Sequence, residues 1–376
     1  MTDGDAPAFA GYTAAVFRRL ALTATALLLI TACSSPESTP TVLAAPSPSP
    51  AVAQTTTTTL PPTTTTSTTT TTVPKGPISP LDGLPVDNPT LVDRRVLAVK
   101  IDNHWDARPQ SGIQEADAVY ELLVEAGLTR FIALFHQSDA AYLGPMRSGR
   151  PTDPTLLKPL GATFTISGAQ DWVINRIVSA GVSIIGEVRP ATYRISSRFA
   201  PHNLYVDTAV LRDYADEQGY ADDPPPDLFA WDEWTDAASE EATAISFDWS
   251  PGLAVRWDWT GEHYLRYTGG DPHEWMPRDG DPEQISTDTL VVIFATRYTA
   301  SPSGAGSSVP AMETVGTGRA LVFSGGEMLE GSWSRESIEV PFELTNPDGS
   351  VLSVPPGRPW ISVFPDSRSV TWQADE

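Results

Sequence analysis

A single cysteine stands among the 376 residues, which rules out both a disulfide framework and a cysteine-based zinc site. Basic residues are also scarce: 24 Lys and Arg face 47 Asp and Glu, for a net charge of −23. So acidic a chain would be repelled by phosphate backbones, and nucleic-acid binding is excluded. Histidine is limited to five residues with no His-Glu-x-x-His spacing. No Gly-x-Ser-x-Gly elbow or phosphate-cradling Gly-Lys loop occurs either. No cofactor and no dedicated metal site is therefore expected; His104 near Asp102 and Asp106 is the best approach to a ligand set. Long apolar runs are missing too. The longest, Leu20 to Ala32, falls short of the roughly 20 residues that a membrane-crossing helix needs.

What is present begins with an address. Arg18 and Arg19 precede that apolar run, which ends Ile30-Thr31-Ala32-Cys33 before turning polar. A basic start, an apolar middle and small residues before the cut describe a secretory signal over residues 1–32. With cysteine directly after the cut, the pattern resembles a bacterial lipobox. That resemblance implies acylation of Cys33 and a lipid anchor at the extracytoplasmic face of the cell membrane. Residues 33–77 are mostly Pro, Ser, Thr and Ala, with 14 threonines between Thr55 and Thr72. Such a stretch has little to bury and is expected to form a disordered tether, with a root-mean-square span of about 35–40 Å.

The charge is unevenly spread. Residues 94–212 hold 13 basic and 11 acidic groups, whereas residues 213–376 hold 8 and 30, so an anionic ligand would be focused on the first of these segments. In that first part, Val96–Ile101, Ala118–Val124, Arg130–Phe135, Ala162–Ile166 and Val182–Ile185 are apolar, strand-like runs. Gly127 predicts a hairpin between the second and third. Pro154–Leu160 and Ala169–Ala180 read as helices, the latter with Trp172, Ile174, Ile177 and Val178 on one face and Gly181 as its cap. After Asp222-Asp-Pro-Pro-Pro226, short strands alternate with Gly, Pro and Asp turns. The expected class is α+β, with a mixed α/β domain at 78–225 followed by a β-rich domain at 240–372. Nine of the eleven tryptophans lie beyond residue 212. Trp257 and Trp259 alternate along one strand, and core packing accounts for them better than sugar stacking does.

Many short motifs in order resemble the YerB-like family of bacterial lipoproteins. They include Pro80-Leu-Asp-Gly-Leu-Pro85, Lys100-Ile-Asp-Asn-His104, Ala107-Arg-Pro-Gln-Ser-Gly112, Gly144-Pro-Met-Arg-Ser-Gly-Arg150 and Pro201-His-Asn-Leu-Tyr205. Downstream, Thr314–Phe323, Gly331-Ser-Trp333 and Pro356–Ile361 are similar to that family's C-terminal domain. The resemblance implies a two-domain envelope lipoprotein, and no reaction.

The residues themselves suggest chemistry. Asp102, Asn103 and His104 follow a buried strand, where sites in α/β layers gather. Arg108, Arg130, Arg147 and Arg150 lie on loops or a strand end, with Glu121 and His202 as further candidates. Arginines so placed can clamp carboxylate or phosphate, and they can equally brace loops through ion pairs. The expectation is a binding protein for an envelope component, an anionic or glycan ligand. The alternative is an enzyme acting on phosphorylated or pyrophosphate-linked wall precursors, with the arginines stabilising charge and Asp102 or Glu121 as base.

Overall fold

The computed structural model describes residues 76–234 and 239–374. The signal segment, Cys33 and nearly all of the tether lie outside the described residues. Strands occupy 40% and helices 14%, so the class is α+β, with strands dominating the C-terminal part. The apolar runs of the first part form β1 (Leu97–Asp102), β3 (Ala118–Leu123), β4 (Thr129–Phe135), β5 (Thr163–Thr165) and β6 (Ile184–Ile185), with a short β2 (Gln110–Ser111) between. β3 and β4 make the expected hairpin, closed by Val124 N–H donating to Leu128 O at 2.7 Å. Gly127 turns it at φ +72°, and a Cβ there would meet Ser250 Oγ at 2.7 Å.

These strands belong to an eleven-stranded sheet that does not stop at the Pro-rich stretch 224–226. Its order is Glu343–Thr345, Glu327–Arg335, Gly316–Ser324, Thr289–Ala295, Pro359–Pro365, β3, β4, β1, β5, β6, and Glu240–Glu241 also pairs with Glu327–Arg335. Pro359–Pro365 joins the two parts by lying parallel to β3, Trp360 opposite Val119 and Val363 opposite Leu122. The central strands are buried along their whole length, as expected where both faces are covered. One face carries Val96, Ala98, Tyr120, Leu122 and Ile132 under helices α1 (Asp153–Leu157) and α2 (Asp171–Ser179). The other carries Val99, Ile101, Val119 and Phe131.

On that second face sits an antiparallel sheet of Leu253–Trp259, Ala244–Ser250, Tyr264–Thr268 and their neighbours. Its strands alternate buried and exposed residues, one side dry and one side wet. Trp257 is fully buried against Trp360, with ring centroids 5.2 Å apart, so it fills core as expected.

Two details differ from the sequence expectations. In α2 the buried face is Val173 and Ile177, while Val178 is 59% exposed: one residue is a 100° step, which carries Val178 off the i, i+4 stripe. A third helix, α3 (Thr208–Glu217), was not expected; Asp207 caps it by accepting from the Ala209 and Val210 N–H groups. It follows β7 (Thr192–Arg194) and β8 (Leu204–Val206), a two-stranded ribbon. No helix among the described residues is long and apolar enough to cross a membrane.

Candidate functional site

β1 is a buried strand that ends in a polar sequence, and the site grows from that end. The loop carrying Pro145 to Arg150 is laced between β1 and β8. Asp102 N–H donates to Pro145 O (2.9 Å), Arg147 N–H to Lys100 O and Met146 N–H to Leu204 O (both 2.7 Å). This lacing brings together residues a hundred positions apart.

Asp102 is buried, and its carboxylate is the hub. Oδ2 accepts from His202 Nδ1 at 2.7 Å and lies 3.0 Å from Arg147 Nε, while Oδ1 accepts the His104 backbone N–H at 3.1 Å. The His104 ring stacks on that of His202, with centroids 4.9 Å apart and planes 19° from parallel. On its other side it meets Trp105 at 3.9 Å. Arg147 meets Asp102 through Nε as an ion pair without hydrogen-bond geometry, and among the described residues neither Nη group has a hydrogen-bond partner. An open cleft beside them is lined by Asp106, Ser197, Arg198, Phe199 and His202. Asp102, His104, Arg147 and His202 therefore converge.

The other candidates do not reach this point. Asn103 and Arg108 brace the strand end from behind. Arg108 donates through Nε and Nη2 to Asn103 Oδ1 and O (both 3.0 Å), and Asn103 Nδ2 donates to Thr129 Oγ1 (2.7 Å). Burial, and then the charge of Arg266, push the Arg108 guanidinium down to about 10. Arg130 stands opposite Asp102 in the β1–β4 register and donates to Ser148 O at 2.9 Å. Burial, with Arg150 nearby, lowers it to about 10 as well. Arg150 bonds Glu125 Oε2 (2.9 Å) and the carbonyls of Ser148 and Gly149. These two arginines hold the loop in place, and Arg147 is the one they leave open to solvent.

Glu121 lies on the wrong side of the sheet. It is paired in register with Phe131, whereas Asp102 is paired with Arg130, one residue along the same strand and so on the opposite face. There Glu121 is sealed in a bidentate pair with Arg266 (2.8 and 2.9 Å) and accepts further bonds from Trp360 Nε1 (2.8 Å) and Thr129 Oγ1 (2.7 Å). Arg266 also donates to His273 Nδ1 at 3.1 Å. This cluster joins the two parts of the chain and has no route to a ligand, so Glu121 is not available as a base.

Sequence reasoning missed Trp105 and Phe199, which are 65% and 91% exposed at the rim. Arg198 donates to the carbonyls of Asp106 (3.2 Å), Arg108 (3.5 Å) and Pro109 (2.5 Å), clamping the two site loops together. Phe199 was detectable as a large apolar residue inside a turn-rich run, Arg198-Phe-Ala-Pro-His202, that has no strand periodicity.

Comparison with known proteins agrees with this architecture. "Putative lipoprotein YerB" of Bacillus subtilis (strain 168) is 25% identical over 303 residues, covering 77% of this chain and 86% of that protein. The crystal structure of the YerB protein from Bacillus subtilis superposes with a TM-score of 0.67 at 24% identity, over 78% of this chain and 99% of that one, and so supports the fold. Residues 81–221 match the N-terminal domain, and residues 244–361 the C-terminal domain, of a family described as a protein of unknown function (DUF3048). The chain thus belongs to the two-domain DUF3048 family, the family of YerB.

Proposed function

We propose that this protein is anchored by a lipid on Cys33 to the extracytoplasmic face of the cell membrane, and that its body binds an anionic envelope component at the Asp102–His104–Arg147–His202 cluster. The lipobox-like Ile30–Cys33 and the description of the Bacillus relative as a lipoprotein support the anchoring. One observation carries the binding site: Arg147 is ion-paired through Nε, at 3.0 Å, with the buried carboxylate that also holds His202, while neither Nη group has a hydrogen-bond partner among the described residues. A guanidinium oriented in this way is prepaid in rotamer entropy and presents paired donors to a carboxylate or phosphate.

The second reading, an enzyme on phosphorylated or pyrophosphate-linked wall precursors, is favoured by one contact. His202 Nδ1 on Asp102 leaves Nε2 as the proton acceptor of a neutral ring, the arrangement of an oriented general base. Turnover of a polyprenyl pyrophosphate that is lost in His202→Gln distinguishes this reading from binding alone.

Two experiments test the proposal. Titration calorimetry of the full-length protein in detergent with pyrophosphate and with a polyprenyl phosphate should show binding that Arg147→Ala weakens roughly 10–100-fold. The melting temperature should stay within about 2 °C, as for a group outside the core. Unchanged binding, or a collapse in melting temperature, would mark Arg147 as a brace. Incorporation of labelled fatty acid should vanish in Cys33→Ala, and equal labelling refutes the anchor.

A further inference from the structure

We infer that His104, Asp106 and His202 form a binding site for a divalent first-row transition metal of the zinc class. Ligand atoms of the three residues lie within 4.8 Å of one another. Both imidazoles have Nδ1 already engaged, that of His202 by Asp102 Oδ2 at 2.7 Å and that of His104 by the Asp106 backbone N–H at 3.2 Å. Neither Nε2 has a partner among the described residues, and neither is sealed off from solvent. The nitrogen that a histidine offers to a metal is set by the bond its other nitrogen makes: with Nδ1–H on Asp102, His202 offers Nε2, whereas His104 Nδ1, which accepts the Asp106 N–H and lies 3.5 Å from Asp106 Oδ2, is the lone-pair nitrogen of its ring and would ligate in place of that bond.

Asp102 is what separates this group from an accidental surface cluster. It is a buried carboxylate, itself fixed by Arg147 and by the His104 backbone N–H, and it holds His202 in one tautomer. A carboxylate behind an imidazole in this way orients the ring and raises its basicity toward a metal. Donor atoms around a tetrahedral ion at about 2.0–2.1 Å stand roughly 3.3 Å apart, so the three residues must close by about 1.5 Å at most. His104 and His202 are only partly buried and Asp106 is exposed, which leaves them that freedom.

Two imidazoles and one carboxylate favour zinc, nickel or copper over magnesium and calcium, which prefer all-oxygen shells. Three protein ligands leave a fourth position open, on the side of the site where Asp102 holds both His202 and Arg147. An anionic oxygen fits there. This last step deepens the anion-binding reading and rests on it; metal binding itself does not.

The test uses the full-length protein in detergent, stripped with EDTA and titrated with zinc sulfate by calorimetry and with cobalt chloride by absorption. One zinc should bind per chain, and cobalt should give the visible bands of a tetrahedral site. His104→Ala and His202→Ala should each weaken zinc at least 10-fold, and Asp102→Asn, which removes no ligand, about 10–100-fold. Should His202→Ala fail to fold, as read from its melting curve, the exposed-side His104→Ala and Asp106→Asn carry the comparison. Absence of saturable zinc binding, equal zinc affinity in wild type and His104→Ala, or displacement of zinc by equimolar magnesium overturns the assignment. Pyrophosphate titrations of stripped and zinc-loaded protein separate the two readings. Pyrophosphate binding without zinc binding sinks the metal site alone, and zinc binding without pyrophosphate binding sinks the anion site alone.

Discussion

Replacing Arg266 by methionine should destabilise the protein more than any surface change, because it strands a buried carboxylate. The side chains of Arg266 and Glu121 are 0% and 1% exposed. Beyond its two bonds to Glu121, the Arg266 guanidinium lies over Trp360 at 4.9 Å, Trp257 at 5.1 Å and Phe131 at 5.4 Å. Methionine fills much of that space, but Glu121 would keep only Trp360 and Thr129 as donors. An uncompensated buried charge costs about 3–5 kcal/mol, a large share of the 5–15 kcal/mol typical of a whole fold. Urea titration followed by tryptophan fluorescence should therefore show a lower midpoint with an unchanged slope. The pair Glu121→Gln with Arg266→Met, which leaves no charge behind, should regain most of the loss, giving a coupling of about 2–3 kcal/mol. A deficit below about 1 kcal/mol in Arg266→Met, or a double variant as unstable as the two singles combined, would refute the reasoning.

Two further outcomes follow from buried groups. His136 is buried with neither ring nitrogen bonded, and burial, with the charges of Arg212 and Arg94, lowers it from the usual 6.5 to about 4. Between those values the unfolded chain takes up a proton that the folded one refuses, so stability falls as pH drops from 6.5 to 4, by up to about 3 kcal/mol. Melting curves of His136→Phe should be flatter across that window, and parallel profiles would exclude His136 as the sensor. Gly318→Ala should cost about 1–3 kcal/mol, because its Cβ would stand 2.5 Å from Trp333 Nε1 and 2.6 Å from Phe294 O. That atom would break the Trp333 Nε1 bond to Phe294 O (2.8 Å), which near-ultraviolet circular dichroism reports; an unchanged spectrum and melting temperature would contradict the crowding.

Local signals made the strands and the hairpin legible, since Val96–Ile101 or Arg130–Phe135 announce burial within a few residues. What stayed hidden is what depends on pairing across the chain. Pro359–Pro365 reads as a motif in a Pro- and Gly-rich stretch, and nothing near it says that it will lie parallel to β3, some 240 residues earlier. Likewise, Glu121 and Asp102 look equivalent in sequence, each a carboxylate on a buried strand. The pleat alone sends one to Arg266 and the other to His202, and the β3–β4–β1 register decides which. Asp102, His104, Arg147 and His202 were named from polar residues at a strand end and in Gly/Pro-bounded loops. Their grouping rests on the lacing of one loop between β1 and β8, which no spacing encodes.

The placement of Pro359–Pro365 also sets an order of events during synthesis. Until residue 365 has left the ribosome, β3 presents one edge of unpaired backbone groups, and Thr289–Ala295 presents another. The strand that closes both gaps is made after both of its neighbours, so a chain stopped short of it carries two open edges of the kind that pair with other chains. Having Pro359–Pro365 available is thus a condition for assembling the middle of the sheet.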